Sequence, residues 1–147
     1  MKTKSTSVMK SLCTIGTGIL FAILCLSACN DDHAGYPTNY TGFDKITESY
    51  TVDRRTEEQD ISLKIIAIKK REEDREVSLS ARSKPGTQPA FKLLDTRLVI
   101  PARKKYATVR IRIYPKQIKH NQEIRITCTP ADKEVKQSQL LLKLTVK

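Results

Sequence analysis

The sequence predicts an all-β protein, a single antiparallel β-sandwich of about seven strands. From Ile46 onward, apolar side chains recur at every second position, which buries one face of each strand and leaves the other in water. No segment has the i, i+3, i+4 apolar spacing of an amphipathic helix. Seven short strands in about 100 residues are typical of a sandwich or a barrel, and we expect the immunoglobulin-like sandwich. Five prolines fall between the strands, where a missing N–H removes no ladder bond: Pro85, Pro89, Pro101, Pro115 and Pro130.

The first three predicted strands are Ile46–Val52, Ile61–Ile68 and Glu76–Arg82. In each of them an apolar set shares one face, as a strand that packs on a core requires. The expected inward residues are Ile46, Tyr50 and Val52 in the first, Ile61, Leu63, Ile65 and Ala67 in the second, and Val77, Leu79 and Ala81 in the third.

The remaining predicted strands are Arg97–Ile100, Ala107–Tyr114, Gln122–Thr129 and Leu140–Val146. The alternation is clearest in the second of these, where three β-branched residues alternate with arginines. The expected inward residues are Leu98 and Ile100, then Val109, Ile111 and Ile113, then Ile124, Ile126 and Cys128, and finally Leu140, Leu142, Leu144 and Val146.

A highly charged segment, Lys69–Arg75, separates two predicted strands, and we interpret it as a polar hairpin connection. It contains the consecutive carboxylates of Glu72, Glu73 and Asp74. Paired carboxylates act as acid and base only when a cleft holds them at a controlled separation. Basic residues flank these three on both sides, so we predict a solvated turn that neutralises itself.

The N-terminal segment predicts export and lipid attachment. A basic start is followed by uncharged residues 11–28 and small residues at a cut, which describes a secretory signal peptide. Cys29 directly after the cut resembles the lipobox of bacterial lipoproteins, in which this thiol is acylated. An uncleaved membrane-spanning helix is the alternative, but 18 residues with internal Gly and Thr are close to the lower limit. We therefore expect a signal peptide at residues 1–28, a lipidated Cys29 with a flexible tether to residue 45, and the sandwich at 46–147.

The residues after Cys29 bear on localisation in the cell envelope. Asn30-Asp31-Asp32 is similar to the acidic surface-export signals of Bacteroidota lipoproteins, and a solvated tether explains it equally well. Asn30 also replaces the aspartate that favours the inner membrane in enteric-type sorting. We expect an anchor in the outer membrane of a Gram-negative bacterium, and the side that it faces is left open.

Charge is distributed unevenly along the chain, whose formal net charge is +11. Residues 29–76 are net acidic, whereas residues 77–147 carry 16 Lys and Arg against 4 Asp and Glu. Nucleic acid is not expected as a partner of an exported lipoprotein, so the candidate anionic partners are lipopolysaccharide phosphates, acidic glycans and the membrane surface. The candidate anionic-ligand face consists of Arg103, Lys105, Arg110 and Arg112. Arg110 and Arg112 lie on one face of a strand about 6–7 Å apart. Solvation of the strand is the plainer explanation of these charges.

Catalysis is not indicated by any group of residues. Cys13 and Cys25 leave with the signal peptide and Cys29 takes the lipid, so Cys128 has no disulfide partner. We expect Cys128 to be a buried small hydrophobe. His33 and His120 belong to no cluster with metal-ligand spacing. The sequence predicts a protein that is not an enzyme and has no cofactor or metal.

Short motifs in residues 46–147 resemble a family of small Bacteroidota lipoproteins. These are Asp74-Arg75-Glu76-Val77, which starts a strand, and Leu98-Val99-Ile100-Pro101-Ala102, which leads into a turn. The family has a Calx-beta-like or immunoglobulin-like domain of unknown function and occurs near SusC/SusD-type glycan-uptake systems. Arg103 stands where the family has the glycine of the turn.

The resemblance implies a non-catalytic binding or accessory subunit at the outer membrane, associated with glycan uptake or with another outer-membrane protein complex. Without Trp, the aromatic candidates for a sugar contact are Tyr106 and Tyr114. One alternative is a structural or assembly protein that pairs through the strand Leu140–Val146, which Lys143 and Lys147 would protect if it were an edge. An envelope immunity or inhibitor protein is a third possibility.

Overall fold

The computed structural model describes residues 35–147 and contains nine β-strands. Residues 1–34, with the predicted signal peptide and Cys29, lie outside the described part. A short 3₁₀ helix occupies Pro115–Gln117. The strands in chain order are β1 Thr41–Phe43, β2 Thr47–Val52, β3 Gln59–Ala67, β4 Arg75–Ser83, β5 Phe91–Leu93, β6 Arg97–Ile100, β7 Tyr106–Ile113, β8 Gln122–Pro130 and β9 Ser138–Val146.

Two sheets form a sandwich, which confirms the predicted fold class. The four-stranded sheet has the order β1-β3-β7-β5, and the five-stranded sheet has the order β2-β9-β8-β4-β6. Neighbouring strands are antiparallel except for β2 and β9, which run parallel from Thr47 opposite Leu141 to Val52 opposite Val146. The first strand of the five-stranded sheet therefore lies along the last strand of the chain.

The core lies between the two sheets and consists of the alternating residues that the sequence predicted. Val109, Ile111 and Ile113 on β7 belong to the same core cluster as Ile124 and Ile126 on β8, and all five side chains are fully buried. Each such side chain contributes about 1.5–3 kcal/mol by leaving water. Residues 35–147 belong to one compact unit with this core, which is the property of a domain that folds by itself.

The sandwich begins at Thr41, five residues before the predicted boundary. The strand β1 falls within the predicted tether, yet Thr41 and Phe43 are buried and pair with β3. The Phe43 N–H donates to the Ser138 Oγ at 3.0 Å, which connects β1 to β9 in the opposite sheet. The last residues of the expected tether are thus part of the folded domain.

Two other expectations about strands were wrong. The segment Lys69–Arg75 is not a hairpin, because β3 and β4 belong to different sheets and the chain crosses between them. Ile46 precedes β2 and is 78% exposed, because β2 begins only at Thr47.

The last strand does not lie at an edge. The strand β9 is hydrogen-bonded to β2 on one side and to β8 on the other, so the predicted role of Leu140–Val146 as a pairing edge is wrong. The edges of the five-stranded sheet are β2 and β6. Within residues 35–147, no helix is long and apolar enough to cross a membrane.

Candidate ligand-binding groove

The outer face of the five-stranded sheet contains a depression of about 670 Å³ across β4, β8 and β9. We call it the polar groove, because hydroxyl and amide side chains form most of its floor. These side chains are Ser80, Thr127, Thr129, Gln137 and Gln139. Each can both donate and accept hydrogen bonds, so the floor suits a ligand rich in hydroxyl groups.

Strand register brings these polar side chains together. Ser80 lies opposite Thr127, and Thr127 lies opposite Gln139 on the next strand. Side chains directly opposite each other in an antiparallel pair have Cβ atoms about 4.5–5.5 Å apart. A row of three hydrogen-bonding groups therefore crosses the sheet at right angles to the strands.

Two arginines face each other next to this row. Arg82 on β4 and Arg125 on β8 are direct cross-strand partners, and both are exposed and line the polar groove. Within residues 35–147, neither has an ion pair or a side-chain hydrogen bond. Like charges directly opposite each other destabilise a sheet, so this pair opposes folding unless an anion lies between the two guanidinium groups.

Other residues adjust the charge of the polar groove. Lys84 adds a third positive charge at the end of β4, and Glu123 adds a negative charge two residues from Arg125 on β8. Leu141 and Pro85 contribute apolar surface at its margins. The lining is thus net positive, with the acidic group at one end.

The predicted anionic-ligand face lies on the other sheet, and its charge is balanced by carboxylates. Arg110 donates to Asp95 from Nε and Nη2, both at 3.2 Å. Arg112 donates to Asp60 at 2.8 and 3.0 Å and also pairs with Glu58 at 2.9 Å. Hydrogen bonds from the two guanidinium groups lower the pKa values of Asp60 and Asp95 below their usual range.

The structure separates Arg103 and Lys105 from the two strand arginines. Both lie in the turn between β6 and β7. The Nε of Arg103 donates to Glu72 at 2.7 Å, and Lys105 also has an interaction partner. Ligand binding at these four residues stays a prediction, and each of them already has a partner within the chain.

Glu72, Glu73 and Asp74 are exposed, as predicted, and two of them also connect this segment to the turn before β7. Besides the Glu72 contact with Arg103, Asp74 accepts the Ala102 N–H at 2.7 Å. Arg103 has a φ of 64°, the left-handed conformation that favours glycine, and its N–H donates to the Arg71 carbonyl at 2.7 Å. This positive φ accounts for the glycine that stands at this position in the family that the sequence resembles.

The remaining sequence candidates lie outside the polar groove. Tyr106 is 60% exposed, but the Lys64 ammonium lies 5.3 Å from its ring centroid. Tyr114 is half-buried at the end of β7. Cys128 is fully buried, as predicted, and burial raises the pKa of its thiol to about 12. Within the described part of the chain, no three His, Cys, Asp or Glu side chains are grouped as a metal site would require.

Sequence reasoning missed Arg82 and Arg125 because they are distant in sequence and become neighbours only through the pairing of β4 with β8. A signal was present in the outward positions of these two strands. They are Ser78, Ser80 and Arg82 on β4, and Arg125, Thr127 and Thr129 on β8. Serine and threonine at successive outward positions of two strands indicate a hydrogen-bonding surface as much as they indicate solvation.

The chain matches no family model and no curated protein sequence. Among solved structures, it is similar to a protein of Bacteroides ovatus described as a candidate carbohydrate-binding protein, with a TM-score of 0.61 and 12% identity. That match covers 72% of this chain and 36% of the other, so the chain spans about a third of that protein.

Two further structures share the sandwich. The CBD12 region of CALX1.2 matches with a TM-score of 0.56 and 13% identity, over 74% of this chain and 44% of that one. The class 5 fimbrial chaperone CfaA matches with a TM-score of 0.52 and 12% identity, over 73% and 57%. At these identities the matches show the fold, and they agree with the Calx-beta-like sandwich that the sequence predicted.

Proposed function

We propose that this chain is a non-catalytic, lipid-anchored protein of the bacterial envelope that binds a glycan in the polar groove. The observation that carries the proposal is the row of Ser80, Thr127 and Gln139 across three strands, next to two arginines that have no partner within the described residues. Such a floor holds its ligand through hydrogen bonds and charge.

The lining favours hydrogen bonding over stacking. Among residues 35–147, no aromatic side chain lines the polar groove, so these residues offer no ring on which a sugar can stack. The hydroxyl and amide groups instead match the alternating donors and acceptors of a polyhydroxylated chain. The similarity in fold to a candidate carbohydrate-binding protein of Bacteroides ovatus supports this ligand class.

Binding is tested with residues 32–147 on a panel of neutral and acidic polysaccharides, by affinity electrophoresis and then calorimetry. Ser80→Ala with Thr127→Val removes two opposed hydroxyls and closely keeps the shape of the floor. Since each hydrogen bond contributes about 1 kcal/mol, we expect affinity to fall about 30-fold.

The matched control is Ser62→Ala with Thr108→Val, which removes two exposed hydroxyls from the outer face of the four-stranded sheet. This pair should leave affinity unchanged. Equal loss in both double variants, or retention of no polysaccharide by the parent protein, would contradict the proposal.

Anchoring at Cys29 and exposure at the cell surface belong to the same proposal and rest on the lipobox-like sequence. An epitope tag after Lys147 and antibody staining of intact cells test both, with Cys29→Ala as the control. We expect surface staining that the control loses. Staining that appears only after the cells are permeabilised would place the domain inside the envelope and favour an assembly or immunity role.

A second candidate function is assembly through β2, for which the hydrogen-bonding pattern provides an observation. The Leu141 N–H donates to the Ile46 carbonyl, and the Lys147 N–H donates to the Val52 carbonyl. In a parallel pair, every second residue of a strand directs both its N–H and its C=O to the same neighbouring strand. The N–H and C=O groups of Thr47, Ser49 and Thr51 therefore point away from β9. Within residues 35–147 no strand pairs with that outer side. The strand contains no Lys or Pro that would protect it.

Proline substitution distinguishes this candidate from glycan binding. Ser49→Pro removes an outward N–H and should block strand addition while the domain stays folded. Tyr50→Pro is the destructive comparison, because it removes an N–H that faces β9. The assay is co-sedimentation with outer-membrane fractions. If the Ser49→Pro variant co-sediments as well as the parent protein does, assembly through β2 is contradicted.

A further inference from the structure

We propose that the ligand of the polar groove is an acidic glycan, and that Arg82 and Arg125 together bind one of its carboxylate groups. This inference rests on the proposed function and adds the chemical class of the ligand and the residues that recognise it. The site for the acidic group therefore lies on the outer face of the five-stranded sheet. The predicted face, with Arg110 and Arg112 on β7, lies on the opposite side of the sandwich.

The arginines of the described residues fall into two groups. Seven have a partner within the chain: Arg54 on the Lys119 carbonyl, Arg55 on Asp53, Arg71 on Asp132, Arg75 on the carbonyls of Lys69 and Lys104, Arg103 on Glu72, Arg110 on Asp95, and Arg112 on Asp60. Three have none in residues 35–147, namely Arg82, Arg97 and Arg125. All three lie on the outer face of the five-stranded sheet, Arg97 at its edge opposite Ser78.

The position of the pair suits a carboxylate. Arg82 and Arg125 are directly opposite on adjacent antiparallel strands, so two guanidinium groups reach the same volume above the sheet. A carboxylate between them can accept two N–H groups from each side, and it replaces repulsion with charge-assisted hydrogen bonds. A neutral sugar offers no comparable gain.

The neighbouring residues give the ligand a direction. Thr127 and Thr129 extend the floor along β8 on one side of Arg125, whereas Glu123 and Lys84 lie at the same end on its other side, where their charges offset each other. The carboxylate therefore binds at the arginine pair, and the hydroxyl groups of the same glycan contact the threonines.

The test compares polygalacturonate with its methyl ester, which has the same backbone without the charge. Residues 32–147 are measured as the parent protein, as Arg82→Gln with Arg125→Gln, and as the matched control Arg110→Gln with Arg112→Gln. We expect the acid form to bind at least tenfold more tightly than the ester. The groove variant should lose that preference, and the control should keep it.

Other outcomes overturn the inference in distinguishable ways. Equal binding of acid and ester by all three proteins would refute the acidic subsite and leave glycan binding intact. Loss of binding in the Arg110 and Arg112 variant alone would return the site to the predicted face. Retention of neither polymer by the parent protein would refute the acidic class that the pair predicts. Glycan binding itself would fail only if the neutral polysaccharides of the wider panel were also not retained.

Discussion

Replacing Gly42 with alanine tests how β1 closes the sandwich. A Cβ atom at Gly42 would lie 2.2 Å from the Ser138 Oγ, 2.6 Å from the Ser138 Cβ and 2.9 Å from the Tyr40 hydroxyl. Ser138 cannot yield easily, because it is buried on β9 opposite Cys128 and its Oγ accepts the Phe43 N–H. Gly42 is therefore a position of close approach between the two sheets.

The expected loss of stability combines two effects. Overpacking a closed core costs about 1–3 kcal/mol. Displacing the Ser138 hydroxyl also removes its buried hydrogen bond to Phe43, which contributes about 1 kcal/mol. Together they predict that Gly42→Ala lowers the free energy of unfolding by about 2–4 kcal/mol.

Urea denaturation of residues 32–147, followed by circular dichroism, measures this loss. The double variant Gly42→Ala with Ser138→Gly removes the atoms that the new methyl group would meet. Its loss should be clearly smaller than the sum of the two single losses, because the two sites are in contact. Surface substitutions typically change the free energy of unfolding by up to about 0.5 kcal/mol. If Gly42→Ala lowers it by no more than that, β1 does not pack as closely as the structure shows.

Three further predictions concern the turn, the thiol and the ion pairs. Arg103→Gly should leave the free energy of unfolding in urea unchanged or raise it by up to about 1 kcal/mol. Glycine adopts a positive φ without steric cost, and the exposed ion pair with Glu72 contributes little. A loss above about 1 kcal/mol would contradict this. Cys128 should resist a thiol reagent at pH 8 until denaturant is added. Because burial raises its pKa from 9.0 to about 12, its contribution to stability is present below pH 9 and should be lost between pH 9 and 12, a loss that Cys128→Ala should not show. Asp60 and Asp95 have lowered pKa values, so their contribution is present above pH 3.8 and lost as pH falls further; replacing both by asparagine should flatten the acid limb of the stability profile, and an unchanged limb would count against these pairs.

The long strands could be predicted because their inward residues alternate over several positions. On β7, three buried β-branched side chains alternate with Thr108, Arg110 and Arg112, and no helix period fits them. The strands β1 and β5 have three residues each, which is too short for a period of two to appear. They form because the neighbouring strands β3 and β7 offer pairing partners, which is a tertiary effect.

The connections between the two sheets could also not be predicted from the sequence. A polar segment such as Lys69–Arg75 can close a hairpin or cross from one sheet to the other, and both need the same solvated residues. The parallel pairing of β2 with β9 joins residues that are 94 positions apart, such as Thr47 and Leu141. Nothing local in either strand specifies that partner.

The candidate anionic-ligand face was selected in the sequence by its local density of positive charge. Arg110 and Arg112 are conspicuous in the sequence, but Asp60 lies opposite Arg112 only through the register of β3 with β7. Arg82 lies between Ala81 and Ser83, and Arg125 lies between Ile124 and Ile126, so neither belongs to a local pair of arginines. Which arginines lack a carboxylate partner is a property of the folded sheets, so composition and spacing alone could not have selected the pair.

The most direct test of glycan recognition by the polar groove is a titration of ¹⁵N-labelled residues 32–147 with oligogalacturonate, followed by amide chemical shifts. The structure predicts shifts concentrated on β4, β8 and β9, at Ser80, Arg82, Arg125, Thr127 and Gln139, with Arg110 and Arg112 unmoved. Shifts confined to β7 and the turn before it, or no shifts at all, would contradict a ligand site on the five-stranded sheet.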